Sequence, residues 1–271
     1  MQEKLTVEER KRYARHIVLS QVGVEGQQKL KQAKVLVIGA GGLGSPVLMY
    51  LAAAGVGTIG ICDFDCVELS NLQRQIIHGS KWVGESKAAS AKERIHRINE
   101  STEVITYPVR LSPENIMDMI ANYDFIMDGV DNFQTKFLIN DACVIAKKPF
   151  CHAGVVGFEG QVMTYVPRQG PCYRCLFEDV PEDGQIPDCA EIGVLGAMVG
   201  IIGSLQALEA LKYITGAGEL LTGKMLIFDG LTMKSRLVGL GNKVEGCKVC
   251  GEKPVIKDVR ESAAEYEAGV C

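Results

Sequence analysis

Two close cysteine pairs carry a strong chemical signal in this chain, Cys172-x-x-Cys175 and Cys247-x-x-Cys250. Four thiolates suit a tetrahedral zinc ion, and the CxxC spacing lets both sulfurs of a pair reach one metal. Cys175 and Cys247 are 72 residues apart, far more than in a compact zinc ribbon. Such a metal would staple distant segments, a structural rather than a catalytic role. Two redox pairs are the competing reading, but neither pair sits on a thioredoxin-like strand–helix unit.

A second signal is Gly39-x-Gly41-x-x-Gly44, with Gly42 inside it, followed 24 residues later by Asp63. Glycines there let the backbone approach a phosphate at a helix N-terminus, and a carboxylate at that offset can accept hydrogen bonds from a ribose. The pair reads as an adenosine-type nucleotide site and does not separate NAD, FAD and ATP. The run from Asp63 to Gln75 narrows it, packing Asp65, Ser70, Asn71, Leu72, Gln73 and Arg74 into one polar loop, with Lys87 beyond. A dinucleotide site has little need of these groups. An enzyme that breaks the α–β phosphate bond of ATP needs cations and amides at the α-phosphate and carboxylates for Mg²⁺. Asp128 and Asp131 fall at the end of another strand, where open α/β sheets bind ligands.

The elements that must position these residues alternate. The apolar run Lys34–Gly39 reads as a strand buried on both faces, and Thr58–Cys62, Val104–Tyr107 and Phe125–Met127 read as further strands. Helical patterns follow at Pro46–Ala54, Glu85–Ile98, Pro113–Asn122 and Asn132–Ala146, after a charged N-terminal helix over Val7–Leu19. Beyond Phe150 come a strand at Gln161–Val166, an irregular stretch to Ile192, a long helix at Val194–Ile214 and a hairpin of Lys224–Phe228 with Met233–Leu237. This order predicts an α/β fold: a Rossmann-like, doubly wound, mostly parallel sheet with a C-terminal antiparallel extension and a structural zinc site. One domain would span 1–271: a helical arm to 30, a nucleotide-binding part over 31–165, a zinc-stapled part over 166–253 and a tail over 254–271, whose last stretch reads as a short helix packing on the body.

A formal charge of −4 argues against nucleic acid as a partner. The N-terminus lacks the apolar core of a signal peptide, and no apolar run reaches the ~20 residues of a membrane span. Both point to the cytoplasm and away from a membrane. In that reducing compartment disulfides are not expected. Cys62, Cys66, Cys143 and Cys151 read as small core residues, Cys271 has no assigned role, and His16, His78, His96 and His152 read as structural or surface groups.

The glycine loop with Ser45-Pro46, the Ser70-Asn71-Leu72-Gln73-Arg74-Gln75 segment, Lys87 and Asp131-Asn132 resemble the ThiF/MoeB/HesA family of ubiquitin-activating-enzyme-like adenylyltransferases. The resemblance runs from Arg12-Tyr13-Ala14-Arg15 to Cys247-Lys248-Val249-Cys250. It implies ATP, Mg²⁺ and Zn²⁺, and a substrate that is the C-terminal Gly-Gly carboxylate of a ubiquitin-fold sulfur carrier protein. That carboxylate attacks the α-phosphate, giving an acyl-adenylate and pyrophosphate. Gly39, Gly41 and Gly42 would contact the nucleotide and Asp63 its ribose. Asn71, Gln73, Arg74 and Lys87 would grip phosphates, and Asp131 would hold Mg²⁺ with Asn132 beside it. Arg15 would act in trans, inside a homodimer. Cys189, before the long helix, is a candidate transfer thiol, since a helix N-terminus favours thiolate. Some longer members carry a rhodanese domain. Only about 20 residues follow Cys250 here, so sulfur is expected from a separate protein such as a sulfurtransferase, or the acyl-adenylate passes elsewhere. The pathway stays open among thiamin, molybdopterin, tRNA thiolation and cysteine. Two alternatives remain at this point, a related tRNA-modifying dehydratase and, from another class, an NAD-dependent oxidoreductase.

Overall fold

The computed structural model describes residues 4–180 and 192–267. Its strands form one mixed sheet, in spatial order β3-β2-β1-β4-β5-β6-β7-β8. The strands β1 (Lys34–Ile38), β2 (Thr58–Cys62), β3 (Glu103–Tyr107), β4 (Phe125–Asp128) and β5 (Phe150–Val156) run parallel. β6 (Glu159–Tyr165), β7 (Lys224–Asp229) and β8 (Lys234–Gly239) continue the sheet antiparallel. The order reverses between β1 and β4, so the carboxyl ends of these two strands open onto the crevice where such sheets bind ligands.

Alternation along β1 explains the two-sided burial. Val35 and Val37 enter one core with Leu48, Leu51, Ile59, Ile61 and Ile202, while Leu36 and Ile38 enter the other with Ile120, Phe137 and Phe150. The first core lies under α3 (Gly23–Gln32), α4 (Gly44–Ala54), α5 (Lys87–Ile98) and α8 (Gly196–Thr215). The second lies under α6 (Ile116–Ala121) and α7 (Phe133–Ile145) and takes in Cys172 and Cys247. Helix α8 is long and apolar enough by composition to cross a bilayer. It is instead a core helix. The Gln206 amide donates to the carbonyls of Asp128 and Cys151, and the Glu209 carboxylate accepts from the Thr164 hydroxyl and the Leu221 N–H.

Several expectations need correction. The N-terminal helix is broken at Tyr13 into α1 (Val7–Arg12) and α2 (Ala14–Ile17). Tyr13 turns inward instead, its ring against Gly55 and its hydroxyl accepting from the Asn99 amide at 2.8 Å. The Arg12 guanidinium donates to the Ile98 carbonyl at 3.0 Å, and Lys31 pairs with Glu9 at 3.0 Å, so the arm is clamped to its own body. β5 carries no sequence signal strong enough to mark it, because His152 and Gly154 interrupt its apolar run. Cys62, Cys143 and Cys151 are buried as expected, but Cys66 is exposed in the polar loop. The short tail helix α9 (Ala263–Glu267) is present, and its Tyr266 hydroxyl donates to the buried Asp141 carboxylate.

Candidate active site

The carboxyl end of β1 runs into the glycine turn and then α4. Gly39 takes φ +91°, and a side chain there would meet the Gly129 carbonyl at 2.8 Å, so this residue has to be glycine. At Gly44 a Cβ would lie 1.9 Å from the Gly39 carbonyl oxygen, which closes the turn onto the helix start. Asp63, at the end of β2, is 9% exposed and spans the turn: its two oxygens accept from the Ala40 N–H at 2.7 Å and the Asp65 N–H at 2.9 Å. Burial pushes its carboxyl above the usual range, against the Ala40 amide and the Lys87 ammonium. A carboxylate fixed beside a helix N-terminus with lone pairs left over is well placed to accept from a ribose.

Lys87 opens α5 and is buried, with its ammonium 2.8 Å from the half-exposed Asp65 carboxylate. The intervening loop is stitched by Val67 N–H to Glu85 carbonyl and Gly84 N–H to Val67 carbonyl bonds, both 2.8 Å. It carries a 3-10 turn over Leu69–Asn71, in which Asn71 is buried and Ser70 exposed. The Arg74 guanidinium donates to the Ser70 carbonyl at 3.2 Å. Leu72 is half-buried and Gln73 exposed, and the Gln73 carbonyl meets the start of α8 so closely that a Cβ on Gly196 would be 2.2 Å from it. The loop comes back to the glycine turn at Gln75, whose amide nitrogen sits 3.6 Å from where a Cβ on Gly41 would be. Gly42 faces Val199 of α8. Asp131 and Asn132 follow β4, and Gly129 between them and the strand touches the Gly39 carbonyl. Asp131 is exposed, while Asn132 caps α7 by accepting from the Thr135 N–H at 2.9 Å.

Hydrogen bonds thus join the glycine turn, Asp63, Asp65 and Lys87 at the carboxyl ends of β1 and β2, and the same turn packs against Gly129, ahead of Asp131, and against Gln75, at the end of the polar loop. Arg15 does not join them. It is exposed on α2, whose anchor Tyr13 is fixed at the opposite, amino edge of the sheet by Gly55 and Asn99. Cys189 lies outside the described residues.

Three sets of contacts around the site are not marked by residue type alone. His78 bonds both sides of the glycine turn's support, its Nε2 donating to the Ala40 carbonyl at 2.9 Å and its Nδ1 meeting the Ser90 hydroxyl at 2.9 Å. Burial lowers its pKa to about 4. A histidine held neutral in the fold and free to protonate near 6.5 when unfolded makes stability fall with acid: the contribution is complete above pH 6.5 and lost as pH falls through about 4. Acid titration of unfolding free energy should show this slope in that window, and His78→Gln should flatten it. An unchanged slope would remove His78 from the account. The second group is Gln75, whose buried Oε1 has no partner. The third is the pair of partners packed on the buried Asp128, Lys136 and His152; Asp128 itself is marked by its place at a strand end, and Lys136, embedded in the apolar α7, is the one hint of its partners in the sequence.

On the far side of the second core the four cysteines converge. The sulfurs of Cys172, Cys175, Cys247 and Cys250 lie within 4.8 Å of one another, with close pairs at 3.4, 3.7 and 3.9 Å. A tetrahedral zinc with ~2.3 Å bonds requires sulfurs about 3.8 Å apart, and a disulfide would need ~2.05 Å, so the set fits a metal and no disulfide. The Val244 N–H donates to Cys175 Sγ at 3.5 Å, as thiolate ligands are commonly stabilised.

The model of the ThiF family matches residues 13–249. Among curated proteins the chain is 46% identical over 257 residues to a Zea mays protein named adenylyltransferase and sulfurtransferase MOCS3-1, covering 95% of this chain and 55% of that one. It is 44% identical over 268 residues to a Thermus thermophilus protein named sulfur carrier protein adenylyltransferase, covering 97% of each. The chain thus spans about half the length of several of the curated relatives it matches. Among solved structures, E. coli MccB with ATP superposes with a TM-score of 0.77 at 25% identity, over 89% of this chain and 73% of that one. The extent of the family match, together with the 44% identity to a relative of nearly the same span, places this chain in the ThiF family.

Proposed function

We propose that the chain is an ATP-dependent adenylyltransferase that activates the C-terminal Gly-Gly carboxylate of a ubiquitin-fold sulfur carrier protein. The observation that carries this reading is the adenosine-type turn held by Asp63, with the buried Lys87 beside it through Asp65 and the polar loop returning to it at Gln75; Arg74 in that loop and Asp131 beyond Gly129 supply charges a stable dinucleotide would not need. The carrier carboxylate oxygen forms a bond to the α-phosphorus while the bond to the bridging oxygen breaks, and pyrophosphate leaves with that electron pair. Negative charge rises at an already anionic centre. Lys87 and Arg74 answer it directly, and the glycine-turn amides at the start of α4 add their dipole. Asp131 would hold Mg²⁺, which neutralises phosphate charge when bound. The four cysteines would hold Zn²⁺, whose part is to fix the second core.

Arg15 would complete the site from a second copy. An open apolar groove of about 860 Å³ between α4 and α8, lined by Met49, Tyr50, Ile76, Ile201 and Leu208, supports that assembly. Ile76 continues the polar loop itself, so a second copy seated there lies beside the crevice. A cytoplasmic setting belongs to the same reading, and the pathway served depends on which carrier binds.

ATP–pyrophosphate exchange with candidate carriers tests it. Exchange that requires an intact Gly-Gly end is the expected result. No exchange with any such carrier, together with NAD binding, would sink it in favour of the oxidoreductase. Cys189→Ala should leave exchange unchanged and block only a later thiol-dependent transfer; a loss of exchange itself would show that the thiol belongs to adenylation.

A further inference from the structure

Asp128 closes β4 with a carboxylate that is 1% exposed, and its partners come from separate stretches of chain. The Lys136 ammonium of α7 donates to its two oxygens at 3.1 and 3.0 Å and to the Ala153 carbonyl at 2.7 Å. His152 of β5 donates through Nδ1 at 2.7 Å. The remaining partner is the Val130 N–H at 3.2 Å, in the turn that leads into Asp131. Burial alone would raise the Asp128 carboxyl, but the Lys136 charge and the His152 bond outweigh it and hold it ionised. An ion pair this deep is seldom more stabilising than an apolar replacement of the same volume. Its specific product here is the fixed amide of Val130.

The His152 ring also rests against Tyr173, with centroids 4.5 Å apart. Tyr173 stands between the first two cysteines of the four-thiol cluster, directly after Cys172. Its N–H donates to Asn140 Oδ1 at 2.8 Å, and its ring stands edge-on to Phe137 at 5.1 Å, so it has little freedom to move. A continuous set of contacts thus runs from the cysteine cluster through Tyr173, His152 and Asp128 to the Asp131 turn.

We propose that Asp128, Lys136 and His152 are positioning residues for the Asp131 turn, and that Tyr173 ties their position to the four-cysteine cluster. The inference rests on the reading of Asp131 as the Mg²⁺ ligand of an adenylation site. None of the four touches substrate. They act by holding the Val130 amide, so that the carboxylate of the next residue, Asp131, is already oriented when Mg·ATP arrives. Loosening such a support typically costs ~10- to 100-fold in metal affinity or activity.

The test uses the full chain with four substitutions and two readouts. Hydrogen exchange at the Val130 amide reports the turn itself. The Mg²⁺ concentration for half-maximal carrier-dependent pyrophosphate exchange reports its consequence. His152→Leu and Tyr173→Leu should each speed Val130 exchange about tenfold and raise the half-maximal Mg²⁺ about tenfold, with kcat within about twofold. His152→Asn, whose amide nitrogen can replace Nδ1, and Tyr173→Phe, which keeps the ring, should stay near the unsubstituted chain in both. Should one leucine variant fail to fold, the other decides. Unchanged Val130 exchange in the folded leucine variant overturns the proposal. So does a rise spread equally over the β1 amides, which would mean general destabilisation. If the unsubstituted chain shows no carrier-dependent exchange, the adenylation reading fails by itself, and the Val130 amide still decides whether this network holds the turn.

Discussion

Replacing Arg74 or Asp131 with alanine should leave the fold intact and reduce carrier-dependent pyrophosphate exchange by about three orders of magnitude. The size follows from where the charge develops. Attack by a carboxylate on the α-phosphate brings two anions together, and a cation or metal ligand matters more at that instant than in the bound ground state. The fold should survive because neither residue is built into a core. Asp131 is exposed, and Arg74 makes one bond to the Ser70 carbonyl from a partly exposed position. Circular dichroism and thermal melting should therefore match the unsubstituted chain within a few degrees. A loss of less than tenfold at either position would show that the rim of the crevice does not face the reacting phosphate. Lys87 is a less clean probe, since it is buried and its removal also opens space beneath the Asp65 carboxylate that it pairs with.

Removal of the metal from the four-cysteine cluster should be the largest structural perturbation available. One metal ion per chain is expected, with zinc found by elemental analysis, and Cys172→Ser should lower the melting temperature by more than about 10 °C or abolish soluble expression. Structural zinc contributes ~10–16 kcal/mol in small zinc-finger domains at neutral pH, comparable with the whole stability of a domain. The cluster is well placed to exert such an effect. Cys172 and Cys247 belong to the second core with Phe137, Tyr165 and Tyr173, and the bond between Arg174 and the buried Asp141, 2.8 Å at Nε, fastens the same turn to α7. Stripping the metal should thus loosen α7 and the tail helix together, visible as faster hydrogen exchange in both. A chain with no bound metal and an unaltered melting curve would leave the thiols as packing alone.

The parallel half of the sheet and the grouping of the glycine turn with Asp63 and Lys87 are readable from residues alone for a physical reason. Buried parallel strands are written as unbroken apolar runs, and phosphate chemistry demands glycine, carboxylate and cation at fixed offsets. The glycine turn, Asp63 and Lys87 lie together as their spacing implies. What resisted reading depends on pairing rather than on composition. β5 is stabilised by β4 on one side and β6 on the other, so Phe150-Cys151-His152-Ala153-Gly154 needs no strong strand character of its own. The contact of His152 with Asp128 exists only because Asp128 and His152 are in register across that pairing. The break of the N-terminal helix at Tyr13 has the same origin, since its inward turn is decided by Gly55 and Asn99, far off in sequence. Cys66 was misread because an exposed cysteine in a polar loop looks, letter by letter, like a buried one.

The clamped N-terminal arm has a consequence for how two copies could cooperate. With Tyr13 seated against Gly55, Arg12 on the Ile98 carbonyl and Glu9 on Lys31, the segment carrying Arg15 cannot be paid out like a tether toward a neighbour. An arginine delivered across a twofold axis would have to arrive as part of a docked, rigid body. Exchange of subunits between two populations would then proceed at the rate at which whole protomers part, with no slower step in which an arm unthreads and rethreads.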